Sequence, residues 1–222
     1  MAARIFPSRI AFKRARIRGV ARIANFETKE LDVVVGSRRF RLRCPRSIEE
    51  LHDSEPAAVP YWADLWPSAL VLAEELAARH LTGMRVVELG CGLGLGAIVA
   101  AQSGADALAT DHDRDAVAFA RDNGRRVLGR RLATMRADFA DLPDALLGLA
   151  PFDLVVAADV LYVEGSAASL ADALERLVRP GGEALIAYPW SGQADRLVAT
   201  LGWPAAEREE RNARLVRLAR PA

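Results

Sequence analysis

The sequence is poor in the residues from which disulfide frameworks and metal sites are built. Its 222 residues include two cysteines and three histidines. Cys44 and Cys91 are too few for a disulfide framework and lack metal-ligand spacing, and His52, His80 and His112 are scattered along the chain. This composition predicts no metal centre and a reducing, cytoplasmic setting.

Long apolar runs are also missing. No run of about 18 apolar residues occurs, which argues against a membrane span. The hydrophobic share of 51% nevertheless suffices for a substantial core. The length fits one domain with a small appendage, and we expect a monomer with no membrane association.

Lysine is scarce as well, and Lys13 and Lys29 stand alone among arginines. The formal charge of +1 conceals an asymmetry, because residues 1–26 hold seven cations and no acid while the remainder has 23 basic and 29 acidic residues. Residues 1–26 are predicted to form a basic N-terminal arm. Such an arm is a solvated extension, an organelle presequence or a nucleic-acid contact.

A glycine-rich turn is the most informative feature that is present. A buried strand ends near Glu88, a turn with Gly90, Gly92 and Gly94 at every second position follows, and an apolar helix begins at about residue 97. Glycine permits positive φ and close approach of a ligand to the backbone. The free N–H groups of the next helix would face that ligand. The pattern predicts a nucleoside-cofactor site, with a purely structural turn as the alternative.

The rest of the chain alternates strands and helices. Further strands are predicted at 107–111, 133–137, 152–158, 183–188 and 213–218, and helices at 67–80, 113–126, 167–178 and 193–201. The pattern predicts an α/β fold, a Rossmann-like, doubly wound, mostly parallel seven-stranded sheet. The last strand is expected to be antiparallel and paired with a weak strand near 205–210.

Domain boundaries follow from composition. Segments at 31–35 and 40–43 flank a turn and predict an N-terminal β-hairpin. We therefore divide the chain into a basic arm at 1–26, a hairpin and proline-containing linker at 27–59, and the α/β domain at 60–222.

Acidic residues recur where the parallel strands end. Glu88, Asp111, Asp138 and Asp159 occupy such positions, and ligands of open parallel sheets bind at that edge. Asp111 follows Gly92 by 19 residues, a spacing that suits hydrogen bonds to both ribose hydroxyls. Each acid taken alone could instead cap a helix or be solvated.

Two further residues are candidates for the adenine side of this site. Asp138 and Phe139 are expected at the edge and face of an adenine ring. His112 could stack there too, or lie on the surface.

A nicotinamide dinucleotide is an alternative ligand. The segment 92–97 satisfies G-x-G-x-x-A. That motif alone is weak, Gly90 opens the turn one step earlier, and no second mononucleotide-binding half is evident.

Three segments resemble known enzymes. The motif Glu88-Leu89-Gly90-Cys91-Gly92-Leu93-Gly94 resembles the first motif of class I, seven-β-strand S-adenosylmethionine-dependent methyltransferases. Asp159-Val160-Leu161-Tyr162 resembles the D-x-x-Y motif of the seven-strand protein-lysine methyltransferases. Pro60-Tyr61-Trp62-Ala63 with Trp66-Pro67 is similar to the segment before the first strand of the electron-transfer flavoprotein β-subunit lysine methyltransferases, which belong to family 16, and of bacterial relatives described as nicotinamide N-methyltransferase-like.

The resemblance implies a role for each matching position. Gly90, Gly92 and Gly94 would line the methionine part of S-adenosyl-L-methionine, Glu88 would face its ammonium and Asp111 would hold its ribose. Trp66, Asp138 and Phe139 would flank the cofactor, and Ala158 would offer backbone beside it. Asp159 and Tyr162 would form the catalytic corner for an acceptor amine.

The implied reaction is N-methylation of lysine side chains in a protein substrate. Aromatic walls at Tyr61, Trp62 and Trp190 would lower the pKa of the amine by desolvation, although each could equally be packing. Asp159 would orient the amine. The alternatives are a small-molecule N-methyltransferase and a non-catalytic binding protein. Nucleic acid is not the expected substrate, because Val160-Leu161 replaces the prolines of the Asp-Pro-Pro-Tyr motif of amino-methylating DNA enzymes.

Overall fold

A computed structural model of the chain describes residues 23–46, 60–189 and 192–222. The basic arm up to residue 22, the linker at 47–59 and Trp190 therefore lie outside the described residues. No helix within the described ranges is long and apolar enough to cross a membrane.

The N-terminal part is a β-hairpin, as predicted. Strands β1 (Thr28–Val35) and β2 (Arg38–Pro45) pair antiparallel, with Val35 opposite Arg38. Alternate side chains of both strands are buried, and Phe40 and Leu42 belong to the core. This alternation places one face of the hairpin on the α/β domain.

The α/β domain contains the predicted seven-stranded sheet. Its strands are β3 (Arg85–Leu89), β4 (Asp106–Asp111), β5 (Ala133–Arg136), β6 (Phe152–Ala158), β7 (Val178–Tyr188), β8 (Ala205–Glu210) and β9 (Ala213–Ala219). Their spatial order is β5-β4-β3-β6-β7-β9-β8. The first five strands in this order, β5, β4, β3, β6 and β7, are parallel, and β9 runs antiparallel to both β7 and β8.

Helices cover both faces of the sheet. They are α1 (Pro67–Ala78), α2 (Leu95–Gln102), α3 (Arg114–Leu128), α4 (Asp144–Leu147), α5 (Ser166–Leu177) and α6 (Gly192–Leu201). One core cluster joins the hairpin, α1, α2 and α3 to the sheet. A second cluster on the opposite face contains the apolar side chains of α4, α5 and α6. This two-sided cover explains why β6 is apolar throughout residues 154–158.

The strand β7 differs from its predicted form. Pro180, Gly181 and Gly182 were expected to separate a helix from a strand beginning at Glu183. Instead α5 ends at Leu177 and β7 begins at Val178, which pairs with Phe152. The register then shifts so that Leu154 pairs with Glu183. The proline and glycines therefore form a bulge within the strand, where a missing N–H and positive φ are tolerated.

Candidate functional site

The structure brings the four strand-end acids to one edge of the sheet. Glu88 lies near the end of β3, Asp111 ends β4, Asp138 lies two residues after β5, and Asp159 directly follows β6. The four strands are neighbours and parallel. Their carboxyl ends therefore share the edge at which ligands of such sheets bind.

The glycine loop (residues 90–94) lies between two other segments of this edge. Gly90, Gly92 and Gly94 have φ of 66°, 49° and 85°, so all three occupy the left-handed region that glycine tolerates. A Cβ atom on Gly90 would lie 2.6 Å from Val160 Cγ1, and one on Gly92 would lie 3.1 Å from the carbonyl oxygen of Trp62. The loop thus touches the segment after β6 on one side and the aromatic segment before α1 on the other.

Glu88 is directed at α2 rather than at open space. Its side chain is buried, and its Oε2 accepts a hydrogen bond of 2.7 Å from the backbone N–H of Ala97. The expectation that free N–H groups at this helix start face a ligand is therefore wrong for Ala97, because the chain's own carboxyl group occupies that donor. Burial, with a smaller contribution from the Asp111 charge, raises the pKa of Glu88 to about 8.

Asp111 braces the glycine loop. Its Oδ2 accepts a hydrogen bond of 2.9 Å from the Gly92 N–H, and its Oδ1 accepts one of 2.9 Å from the Asp113 N–H. Burial raises the pKa of Asp111. The capping of α3 belongs to Asp113, whose Oδ1 accepts from the Asp115 N–H. Asp111 is thus a buried acid at the loop, distinct from the helix cap.

Beside Asp111 lies a cavity of about 290 Å³. It is lined by His112, Arg136, Ala137, Asp138, Asp141 and Pro143. Asp138 is exposed, and its Oδ1 accepts a hydrogen bond from the Ala140 N–H. Phe139 is half-buried and packs on the second core cluster. His112 and Asp138, both singled out for the adenine side, therefore share one cavity, whereas Phe139 is not among its lining residues.

Asp159 has an unusual backbone and an unusual partner. Its φ is 57°, in the left-handed region, and its N–H donates to the Ala187 carbonyl at 2.9 Å. The Ser68 hydroxyl donates to its Oδ1 at 3.0 Å, while its Oδ2 is buried with no hydrogen-bond partner. Burial raises the pKa of Asp159 to about 6, and the Ser68 hydrogen bond acts in the opposite direction. The carboxylate thus has one held oxygen and one free oxygen.

An aromatic rim (Tyr61, Trp66 and Tyr162) is formed by the segment that leads into α1 and the segment that follows β6. The Tyr61 ring meets Tyr162 edge-on at 5.5 Å and Trp66 at 6.0 Å. All three side chains are exposed, and Tyr162 most of all at 60%. Trp62 behaves differently, because its ring packs on Phe119 at 5.5 Å and belongs to the core side. Tyr61 therefore belongs to the exposed rim, whereas Trp62 belongs to the packed core.

The remaining candidates are placed as follows. Ala158 ends β6, is half-buried and pairs with Ala187 of β7. Trp190, the other proposed wall, lies outside the described residues. Within the described ranges, no group of three or more histidine, cysteine or acidic side chains could hold a metal ion. Cys91 in the glycine loop is buried, and burial, together with the nearby acids, raises the pKa of its thiol well above the usual range.

Sequence reasoning missed several residues of this site. Ser68 contacts Asp159 from a position 91 residues earlier in the chain, and its place after Trp66-Pro67 was the available signal. Gly96 lies against Glu88, because a Cβ there would meet Glu88 Oε1 at 2.2 Å. Asn123 is fully buried and donates to the Leu93 carbonyl, which ties α3 to the glycine loop.

Solved structures share this fold. A 16S rRNA methyltransferase from T. thermophilus, in complex with AdoMet and guanosine, matches 87% of this chain and 50% of its own, with 20% identity and a TM-score of 0.64. Magnesium protoporphyrin IX methyltransferase from Synechocystis PCC 6803 with bound SAM matches 69% of this chain and 77% of its own, with 22% identity and a TM-score of 0.55. At such identities the likeness establishes the fold alone.

Sequence comparisons define the family. Ribosomal protein L11 methyltransferase of Pseudomonas putida (strain W619) is 33% identical over 153 residues, covering 62% of this chain and 49% of that protein. Protein N-lysine methyltransferase METTL21A of Danio rerio is 35% identical over 122 residues, covering 52% and 55%. The chain thus spans about half the length of the curated relatives it matches. The family model described as lysine methyltransferase matches residues 56–197, more than half of the chain, and the chain therefore belongs to the lysine methyltransferase family.

Proposed function

We propose that this chain is an S-adenosylmethionine-dependent N-methyltransferase that acts on lysine side chains of a protein substrate. The single observation that carries the proposal is the free oxygen of Asp159, which is buried without a partner beside the aromatic rim. A buried carboxylate oxygen without a hydrogen bond is costly unless a ligand supplies one. An amine or ammonium group is the matching donor.

The residues at the carboxyl edge fit S-adenosylmethionine. Gly90, Gly92 and Gly94 offer backbone without side chains, and Cβ atoms on Gly90 and Gly92 would fill the space against Val160 and Trp62. When bound, the cofactor supplies a methyl group on a sulfonium, which needs no further activation. We assign Gly90, Gly92 and Gly94 to its methionine part and Asp111 to its ribose.

Five further residues complete the assignment. Asp138 and the neighbouring cavity would hold the adenine ring, with Phe139 beside it, while Trp66 and the backbone of Ala158 would flank the cofactor. Glu88 would act chiefly by shaping the loop, because its carboxyl group is turned to Ala97 and burial raises its pKa to about 8. The resemblance implied that Glu88 would face the ammonium group of the cofactor, and the contact with Ala97 limits that role.

The amine side depends on Asp159 and Tyr162. A lysine amine must lose a proton before it acts as a nucleophile, and its unperturbed pKa is about 10.4. The rings of Tyr61 and Tyr162 would exclude water around it and lower that pKa. Because burial raises the pKa of Asp159 only to about 6, its carboxylate is ionised near neutral pH and would orient the amine, while the Tyr162 hydroxyl would hydrogen-bond it.

The exposure of the rim favours a polypeptide over a small molecule. Tyr61 and Tyr162 are 45% and 60% exposed. A pocket for a small molecule encloses most of its ligand, whereas a side chain on a protein needs an open approach. We therefore infer a protein partner rather than a free metabolite or a nucleic acid.

The setting that we propose is the cytoplasm. Cys44 and Cys91 are both buried free thiols, and free thiols of this kind are usual in reducing compartments.

The test is transfer of label from S-adenosylmethionine in a cell lysate. Purified protein should place methyl groups on lysine in the protein fraction, and Asp159→Asn should lower turnover by about 10²-fold with cofactor affinity retained. Asp172→Asn, at an exposed acid that pairs with Arg176 on α5, is the matched control and should be fully active. Label confined to small molecules would refute the proposal of a protein substrate. Failure to bind S-adenosylmethionine in calorimetry would refute the proposal that the chain is a methyltransferase.

A further inference from the structure

Ser68 occupies a position in which its hydroxyl is not needed by its own helix. It is the second residue of α1, which begins at Pro67 and has no side-chain cap. Serine near a helix start commonly caps the first turn. Here the hydroxyl instead reaches Asp159 Oδ1 at 3.0 Å, and Ser68 is 1% exposed. A buried hydroxyl of this kind indicates a contact across the fold rather than local capping.

Asp159 is held by two hydrogen bonds and has a left-handed backbone conformation. Its backbone N–H donates to Ala187 of β7 at 2.9 Å, its φ is 57°, and Oδ1 receives the Ser68 hydroxyl. A left-handed conformation is unfavourable for a non-glycine residue and persists when surrounding contacts determine it. The side chain is thus fixed by α1, and the backbone by β7.

The two oxygens of Asp159 differ as a result. Oδ1 has the Ser68 partner, whereas Oδ2 is buried and has none. We infer that Ser68 is a positioning residue, whose hydroxyl fixes the Asp159 carboxylate so that Oδ2 faces the acceptor amine. This inference rests on the proposed function, and it adds α1 to the segments that build the catalytic corner.

The surroundings of Asp159 allow the effect of the Ser68 hydrogen bond on its pKa to be measured. In the described part of the chain no lysine, arginine or histidine forms an ion pair with Asp159. The titratable groups on the adjoining segments are Tyr61 and Asp64 before α1, Tyr162 and Glu164 after β6, and Tyr188 on β7. Burial and the Ser68 hydrogen bond are the causes of the pKa shift of Asp159. Burial raises the pKa of Asp159 to about 6, and the Ser68 hydrogen bond holds that pKa down. Removal of the hydroxyl should therefore raise the pKa of Asp159 further.

The experiment compares Ser68→Ala and Ser68→Thr with the wild-type protein. The matched control is Ser103→Ala, which removes a buried hydroxyl without a partner at the far end of α2. Two quantities are measured: the acid limb of kcat/KM against pH, and the titration of the Asp159 carboxyl carbon by ¹³C NMR, assigned with Asp159→Asn. The NMR titration does not depend on turnover, and thermal unfolding verifies that each variant is folded.

We expect Ser68→Ala to move the acid limb and the NMR titration upward together by about one pH unit, the size of a charge-assisted hydrogen bond. Because this loss follows protonation of Asp159, kcat/KM should fall about tenfold on the acid limb, well below about pH 6, and only about twofold at pH 7. Ser68→Thr should restore the wild-type profile, and Ser103→Ala should not change it. An unchanged Asp159 titration in folded Ser68→Ala would overturn the inference, as would a loss of activity equal at every pH. If wild-type protein transfers no methyl group, the proposed function fails, while a shifted titration would still demonstrate the Ser68 contact.

Discussion

Gly96 and Glu88 lie so close together that a Cβ atom on Gly96 would be 2.2 Å from Glu88 Oε1. Gly96 is buried in the first turn of α2, and Glu88 is the second-last residue of β3, the strand that precedes the glycine loop. The strand β3 and the helix α2 thus pack together where the Glu88 carboxyl group lies against Gly96, which has no side chain. The pair is the structural base of the candidate cofactor site.

Substitution of Gly96 should therefore damage the fold at this point. Gly96→Ala would force the buried Glu88 side chain to move, and overpacking of this kind costs about 1–3 kcal/mol. We expect that loss in the free energy of unfolding, measured with urea. Gly192→Ala, where no atom lies within 4 Å of the added Cβ, should change it by less than about 1 kcal/mol. Equal values for the two variants would contradict the packing described.

Glu88 should also make stability depend on pH. Burial raises its pKa in the folded protein to about 8 from an ordinary value of 4.5. The folded state therefore binds the proton more tightly, so this stabilisation is complete below about pH 4.5 and is lost as the pH rises through 8. Glu88→Gln removes the titration.

The measurement is the free energy of unfolding of the wild-type protein and of Glu88→Gln at pH 5, 7 and 9. Wild-type stability should fall relative to the variant as the pH rises. Parallel curves for the two proteins would mean that Glu88 is ionised in the folded state throughout, contrary to its burial.

Substitutions of Asp111 and Asp113, which are two residues apart, should have different effects, one on cofactor affinity and the other on stability. Asp111→Asn removes the charge of the carboxylate that accepts a hydrogen bond from the Gly92 N–H. S-adenosylmethionine should therefore bind more weakly by about 1–3 kcal/mol. Asp113→Ala removes the cap of α3 and should cost about 1 kcal/mol of stability with cofactor affinity unchanged. Calorimetric titration and thermal unfolding distinguish the two effects. Weakened binding in Asp113→Ala alone would reverse the assignment.

Asn123 should be essential for docking of the hairpin. Its Oδ1 accepts from the Arg43 N–H at 2.7 Å, and its Nδ2 donates to the carbonyls of Arg43 and Leu93, each at 3.0 Å. Asn123→Ala leaves these buried groups unpaired, and we expect a loss of about 2–4 kcal/mol in urea unfolding. Gln102→Ala, on the exposed end of α2, should stay within about 0.5 kcal/mol of wild type. A neutral Asn123→Ala would show that the hairpin is held by apolar packing alone.

The sheet could be predicted because its signals are local. The apolar run of β6 and the acids after successive strands follow the chain in order, and parallel strands place such ends together. The bounds of β6 agree with the prediction at both ends. The antiparallel β9 was also predicted correctly.

The contacts between distant segments could not be predicted in this way. Ser68 and Asp159 are 91 residues apart, and Asn123 and Arg43 are 80 apart. Neither pair leaves a periodic trace in the sequence, since each depends on how a helix docks. The burial of Glu88 was missed for a related reason, because a strand-end acid is drawn inward only when a helix start meets it.

The position of β9 has a consequence for synthesis of the protein. β9 lies between β7 and β8 and is the last of the three to leave the ribosome. Until then the outer edge of β7 is unpaired, and β8 has no neighbour among the strands described. A nascent chain that stops before residue 213 would therefore offer an open edge for association with other chains, so the sheet is complete only after β9 has been synthesised.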